Sequence, residues 1–211
     1  MNVIVAGEES GTIRDAFAAL GHNAWSCDLK PSRRHGQHYQ GSWHDINWAS
    51  FDLLIGHPEC THLAVSGAHR FAELVADGRQ QAAIEEFMFL ANAPVRMKCI
   101  EQPVSIMSTL YRKPDQIIQP YHFGHDASKK TCYWLTGLPL LRGTLFVPGR
   151  IVGEDKRGKT IVRWANQTDS GQNRLGPSEK RAQMRSETFQ GIADAMAAQW
   201  GGQVERLAVA A

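Results

Sequence analysis

Apolar positions in the first half of the chain fall into two alternating rhythms. Short β-branched runs closed by turn residues predict buried parallel strands, and repeats of three and four predict helices. Val3 to Ala6 is a strand run, followed by the turn Gly7-Glu8-Glu9-Ser10-Gly11. Ile13, Phe17 and Leu20 then repeat at helical spacing, and Gly21 supplies a C-terminal stop. Ala24 to Cys27 predicts a second strand ending in Asp28, and Phe51 to Ile55 a third, left through Gly56 and Pro58. A helix is predicted over 76–93 and a strand over Val95 to Ile100 that ends in Glu101-Gln102-Pro103. Ile117 to Gly124 and Thr131 to Leu135 predict a hairpin-like pair of strands at one edge. A last helix runs from about Glu187 through Ile192, Met196 and Trp200 to Gly201-Gly202. Strands alternating with helices in this order predict an α/β fold, a Rossmann-like, doubly wound, mostly parallel sheet.

The chain breaks rhythm between Leu138 and Arg185. This stretch contains Gly and Pro, has little periodicity, and carries ten Lys/Arg against four Asp/Glu, a local +6. Such a segment suits an insertion that faces nucleic acid, with a solvated flexible loop as the alternative. Arg163, Trp164 and Asn166 place an aromatic among polar groups, where it could stack on a base.

Composition narrows the picture only a little. At 211 residues, 43% hydrophobic and 21% charged, the chain suits one globular domain, or one domain with a modest insertion. A net charge of +2 means that any nucleic-acid partner must be met by local charge. No apolar run approaches the ~18 residues of a membrane span, and Met1 to Gly7 lacks the basic lead of a signal peptide. Cys27, Cys60, Cys99 and Cys132 include no CxxC pair, which fits a reducing, cytoplasmic setting. His57, Cys60 and His62 match none of the usual zinc spacings, so no metal is expected.

The chemistry gathers where strands end. In open α/β sheets, ligands collect outside the carboxyl ends of the strands. The turn after the first strand brings backbone N–H groups and a helix start toward that edge, although no strict GxGxxG is present. Glu8 and Glu9 there suit a cationic or zwitterionic ligand better than a phosphate. Asp28 stands about 20 residues on, where such folds place an acid for ribose hydroxyls, and Asp45 could approach a base or a cofactor amine. Cys60 is presented on a loop at the same edge. Free cysteine is also among the most buried residue types, so the loop alone leaves nucleophile and core residue equally open. Glu101, 41 residues later, emerges one crossover away, and a thiol beside a carboxyl on adjacent strand ends is seldom accidental.

Together these residues resemble the DNA (cytosine-5)-methyltransferases, especially the short forms of bacteriophages and prophages. Val5-Ala6-Gly7-Glu8-Glu9-Ser10-Gly11 is similar to the family's first motif, which wraps the methionine part of S-adenosylmethionine. Asp28 and Asp45 match its acids near the ribose and the adenine. His57-Pro58-Glu59-Cys60-Thr61, with Gly67 beyond it, resembles the nucleophile motif Pro-Pro-Cys-Gln and its trailing glycine. Ile100-Glu101-Gln102-Pro103 resembles the Glu-Asn-Val motif that grips the target cytosine, and Arg185 to Trp200 resembles the last motif. Glu59 stands for the second proline, Gln102-Pro103 for Asn-Val, and the family's Gln-x-Arg-x-Arg motif has no counterpart beyond Lys129-Lys130.

The resemblance implies a methyltransferase fold over 1–137 and 186–204, with 138–185 as a reduced target-recognition region. It implies methyl transfer from S-adenosylmethionine to carbon 5 of cytosine in DNA, duplex or single-stranded, through a covalent adduct of Cys60. Ala6, Gly7, Glu8, Ser10, Gly11, Asp28, Asp45 and Pro58 would hold the cofactor, and Lys129, Lys130, Arg163 and Arg185 the DNA. Glu101, kept partly protonated by burial, would hydrogen-bond the ring as the thiolate adds. The thiol would have its pKa lowered by Lys129, Lys130, or a protonated His57 or His62. Two other functions stay open: modification of a free pyrimidine nucleotide or a single strand, and a catalytically silent protein that binds DNA or cofactor.

Overall fold

The computed structural model describes residues 1–176, 178 and 181–202. Residues 203 and 204, the end of the catalytic domain expected from sequence, lie outside that description. Seven strands form one sheet: β1 (Asn2–Ala6), β2 (Asn23–Asp28), β3 (His38–Gln40), β4 (Leu53–Gly56), β5 (Met97–Pro103), β6 (Gln116–Ile118) and β7 (Thr131–Thr136). Their spatial order is β3-β2-β1-β4-β5-β7-β6. Neighbours from β3 to β5 run parallel, and β7 is antiparallel to both β5 and β6. The result is a mostly parallel mixed sheet, as expected for the methyltransferase fold. The antiparallel β6–β7 pair lies at one edge of the sheet, as expected, with β6 outermost and β7 joining the pair to β5. Much of the predicted strand at 117–124 is instead a 3-10 turn at Pro120–His122.

Alternation along the strands splits the core into two layers. Val3, Val5, Leu53, Ile55, Met97, Cys99, Tyr133 and Leu135 face one side. Ile4, Ala6, Leu54, Ile100, Cys132 and Trp134 face the other. Helices α1 (Thr12–Ala19) and α6 (Gln190–Trp200) cover the first face, where Phe17, Met196 and Trp200 are fully buried. The last helix packs beside the one that follows the β1 turn. Helix α3 (Arg79–Ala91) covers the second face, and Phe87 meets Trp134 edge to face with ring centroids 5.2 Å apart. The predicted helix over 76–93 starts later than expected. A short α2 (Phe71–Ala76) precedes it, and Gly78 with φ 79° turns the chain between the two. Leu20 is not a core position; it caps α1 and is 55% exposed.

Outside the sheet, β8 (Arg150–Glu154) and β9 (Thr160–Arg163) form a separate two-stranded hairpin. Helices α4 (Met107–Leu110) and α5 (Arg181–Ser186) are short. Among the described residues no helix is long and apolar enough to cross a membrane.

Candidate active site

Three strands end together and carry the site. Ala6 of β1 pairs with Gly56 of β4, which pairs with Ile100 of β5. One residue further along each strand come Gly7, His57 and Glu101. The ladder continues that step, since the His57 N–H donates to the Ala6 carbonyl at 2.8 Å. Gly7 has φ 80°, and a Cβ there would lie 2.5 Å from the His57 carbonyl oxygen. Only glycine lets the β1 turn lie this close to the start of the Cys60 loop.

The Cys60 loop is tied down by backbone contacts. The Cys60 carbonyl accepts from the N–H groups of Leu63 and Ala64 at 3.1 and 2.9 Å, and Leu63 is fully buried. Buried Gln102 donates from Nε2 to the Pro58 carbonyl at 2.7 Å. Val65 and Ile106 each bond across to the other segment, Val65 to Val104 and Ile106 to Leu63. Gln102 therefore holds the Cys60 loop to β5, a role that its type and place in the sequence do not announce.

His57 and Glu101 form an ion pair, Nδ1 to Oε2 at 3.2 Å, with side chains 15% and 10% exposed. Adjacent strands at matching register put both on the same face, so the contact follows from the sheet. Burial alone would raise the Glu101 carboxyl, but the charge and hydrogen bond of His57, with Lys129 behind them, hold it below the usual range. Burial pulls His57 down, and Glu101, with Glu8, outweighs it and raises the imidazole. The expectation of a partly protonated Glu101 is corrected by this: the partner that burial left out is His57.

The expected lowering of the Cys60 pKa is also reversed. Burial comes first, and the negative charge of Glu59 adds to it, so the thiol sits above its ordinary value with only Lys129 as a cationic offset. Sequence left Lys129 and Lys130 equivalent, and the structure separates them. Lys129 acts on His57, Cys60 and Glu101, while exposed Lys130 acts on Cys132. Replacing Glu59 by glutamine, which can keep its bond from the Thr61 N–H, should therefore lower the thiol pKa. Alkylation by iodoacetamide should become several-fold faster at pH 8, with the rate profile displaced toward lower pH. Cys27, Cys99 and Cys132 are at most 1% exposed, so the fast phase reports Cys60. An unmoved profile would mean that Glu59 does not govern the thiol.

The turn after β1 differs from a phosphate cradle in its charge. Glu8 is buried and turned into α1, its carboxylate accepting from the Ile13 and Arg14 N–H groups at 2.7 and 3.2 Å and from Ser10 Oγ at 3.2 Å. The helix start is already satisfied by an anion. Ser10 and Gly11 are buried in the same turn, Pro58 is buried across from it, and Asp28 ends β2 with Oδ1 accepting from the Lys30 N–H. Asp45 is exposed on a 3-10 turn, 3.4 Å from the Tyr39 hydroxyl. With the Glu8 carboxylate already on the helix start, and Asp28 and Asp45 as the further acids, this edge suits a cationic ligand with hydroxyls and fits a pyrophosphate poorly.

Arg14 is the residue that sequence reasoning missed. It is fully buried and donates to Asp15, Ser26, Ser32 and the carbonyls of Arg34 and His35, so it gathers the loop that follows Asp28. Gly36, φ 144°, lies against the guanidinium where a Cβ would be 2.6 Å from Cζ. An arginine inside an amphipathic helix pattern normally signals a solvated face, so nothing local marked it.

The hairpin does not present its aromatic as expected. Trp164 is stacked on Tyr121 at 4.0 Å and 7°, and its Nε1 donates to the Val147 carbonyl. Asn166 exchanges two hydrogen bonds with the Ser128 backbone, both 2.9 Å, next to Lys129. These side chains serve the fold rather than a free nucleic-acid face. Arg163 is half-buried, with Nη1 on the Val162 carbonyl. Arg185 is exposed on α5. Among the described residues, no group of three or more His, Cys, Asp or Glu is placed to hold a metal ion.

No protein-family model matches the chain, and neither does any curated protein. Among solved structures, one similar to it is described as a candidate DNA modification methyltransferase encoded within a prophage (E. coli). The two share 14% identity, the match covers 71% of this chain and 52% of that one, and the TM-score is 0.48. The chain thus spans about half the length of that protein, and likeness at this level does not bear on chemistry.

Proposed function

We propose that the chain transfers a methyl group from S-adenosylmethionine to carbon 5 of cytosine in DNA, with Cys60 as covalent nucleophile. One observation carries this reading: the loop of Cys60 leaves β4 beside Glu101 on β5, at the sheet edge where the glycine turn of β1 also ends. The cofactor would supply an activated methyl, held by the turn at Ala6 to Gly11 and by Asp28 and Asp45. Carbon 5 of cytosine is a weak nucleophile until a thiolate adds at carbon 6, and Cys60 would perform that addition. Glu101 would orient the ring through N3 and the exocyclic amine. Lys129, whose main-chain N–H donates to Gln119 Oε1 at 2.9 Å, would supply the positive charge that acts on both. In a duplex the base would have to be flipped out, at a cost of roughly a few kcal/mol. Lys130 and Arg185 are exposed to meet phosphates, which predicts strong salt dependence.

A second reading, a silent DNA or cofactor binder, draws on the raised Cys60 thiol and the closed His57–Glu101 pair. Transfer of labelled methyl to duplex DNA, single strands and dCMP separates the possibilities. Label on DNA supports the proposal, and label on dCMP alone assigns a nucleotide substrate. Absence of label on all three, with cofactor still bound, overturns it in favour of the silent binder.

A further inference from the structure

Glu101 poses a difficulty in its resting state. A carboxylate can accept from the exocyclic amine of cytosine, but N3 of neutral cytosine is also an acceptor, so the two repel unless a proton stands between them. That proton must come from the site. Among the groups that act on the Glu101 carboxyl, His57 is the one in contact, 3.2 Å away and nearly as buried. Its other nitrogen, Nε2, is buried and has no hydrogen-bond partner among the described residues. Charged groups that act on His57 from the packed elements are Glu101 of β5, Glu8 of the β1 turn, and Lys129 of the β6–β7 loop, which opposes them. The imidazolium therefore depends mainly on the Glu101 charge, and it loses that support once the carboxylate is neutralised.

We propose that His57 is the acid that supplies the proton Glu101 delivers to cytosine N3. The proposal rests on the cytosine reading above. In the step, the Cys60 thiolate forms a bond to carbon 6, and the carbon 5–carbon 6 pair of electrons moves to form a carbon 4–carbon 5 double bond. The carbon 4–N3 π pair moves onto N3. The Nδ1–H bond of His57 breaks to protonate the carboxyl, and the carboxyl gives a proton to N3. One C–S and one N–H bond form, one N–H bond breaks, and thiolate and imidazolium charges cancel. No oxidant or other reactant is required.

The test uses His57→Asn, which retains an N–H donor toward Glu101 but has no proton to transfer. A second variant, His57→Ala, is assayed with and without added imidazole. Two rates are followed on duplex DNA: methyl transfer, and tritium release from cytosine labelled at carbon 5 without cofactor. In wild type the rates should climb with pH only until His57 begins to lose its proton, above the ordinary 6.5. They should then level, since each gain in thiolate is cancelled by a loss of imidazolium. His57→Asn should fall about 10²-fold in kcat with KM for DNA little changed. Its profile should climb without levelling toward the thiol's own ionisation, above 9.0. Imidazole should restore part of the His57→Ala rate.

A wild-type-like rate in His57→Asn, or a slow rate with the levelled profile intact, overturns the assignment while the cytosine reading stands. Wild type that neither methylates nor releases tritium ends the cytosine reading and the proposal with it.

Discussion

On the proposed covalent route, Cys60→Ala should lose methyl transfer by at least about 10⁴-fold, because removal of the nucleophile leaves only binding and electrostatics. The loss should reside in kcat. Cys60 is half-buried on a loop fixed by backbone bonds, not by its thiol. Stability should therefore change by no more than about 1 kcal/mol, and cofactor binding should persist. In wild type, the thiol is raised above its ordinary 9.0 by burial and by Glu59, so few molecules carry thiolate at neutral pH. Because thiolate is the reactive form, the rate below pH 6.5 should rise tenfold per pH unit. A flat acid limb would mean that thiol ionisation does not limit the reaction. Retained activity in Cys60→Ala would exclude the covalent route altogether. Labelled cofactor, a stopped time course and a melting curve on both proteins suffice.

The parts of this site that lie on strand ends were legible in the sequence, because short apolar runs closed by turns fix where parallel strands stop. Gly7, Cys60 and Glu101 came together for that reason. The His57–Glu101 pair was within reach of the same logic, since both residues stand one step beyond paired strand ends. It was missed because a histidine beside a cysteine suggests metal or thiol chemistry before it suggests a carboxylate partner. Strand β3 escaped because His38–Gln40 is an edge of three residues with no apolar alternation. The placement of β7 inside the sheet depends on pairing with β5, which no local pattern records. The sign of the Cys60 shift depends on burial and on Glu59 together, and burial of a loop is a tertiary property. Trp164 misled for a related reason: its stacking partner, Tyr121, comes from the segment before β7, far away in the chain.

Arg14→Met should destabilise the fold by about 3 kcal/mol, within the range for removing one partner of a buried charged network. For a chain of this size that corresponds to a melting temperature about 6–12 °C lower. Methionine fills much of the volume, so the loss comes from polar groups rather than from a cavity. Ser26, Ser32 and the carbonyls of Arg34 and His35 all lose the guanidinium, while Ser32 Oγ still donates to the Arg34 carbonyl and Ser26 Oγ keeps His38 Nδ1. Asp15, a third exposed, can turn to water and should matter less, so Asp15→Asn is the milder control. The damage should also reach function by a short path. Arg14 holds the loop that follows Asp28, and Arg33 of that loop donates its N–H to the Glu9 carbonyl at 2.8 Å. Releasing it should loosen both acids that flank the proposed cofactor, so S-adenosylmethionine affinity should fall even at temperatures where the variant is folded. Denaturant melts and calorimetric titration on the same samples separate the two effects. A variant as stable as wild type would show that Asp15 and the serines find water readily, and that Arg14 is buried without being needed.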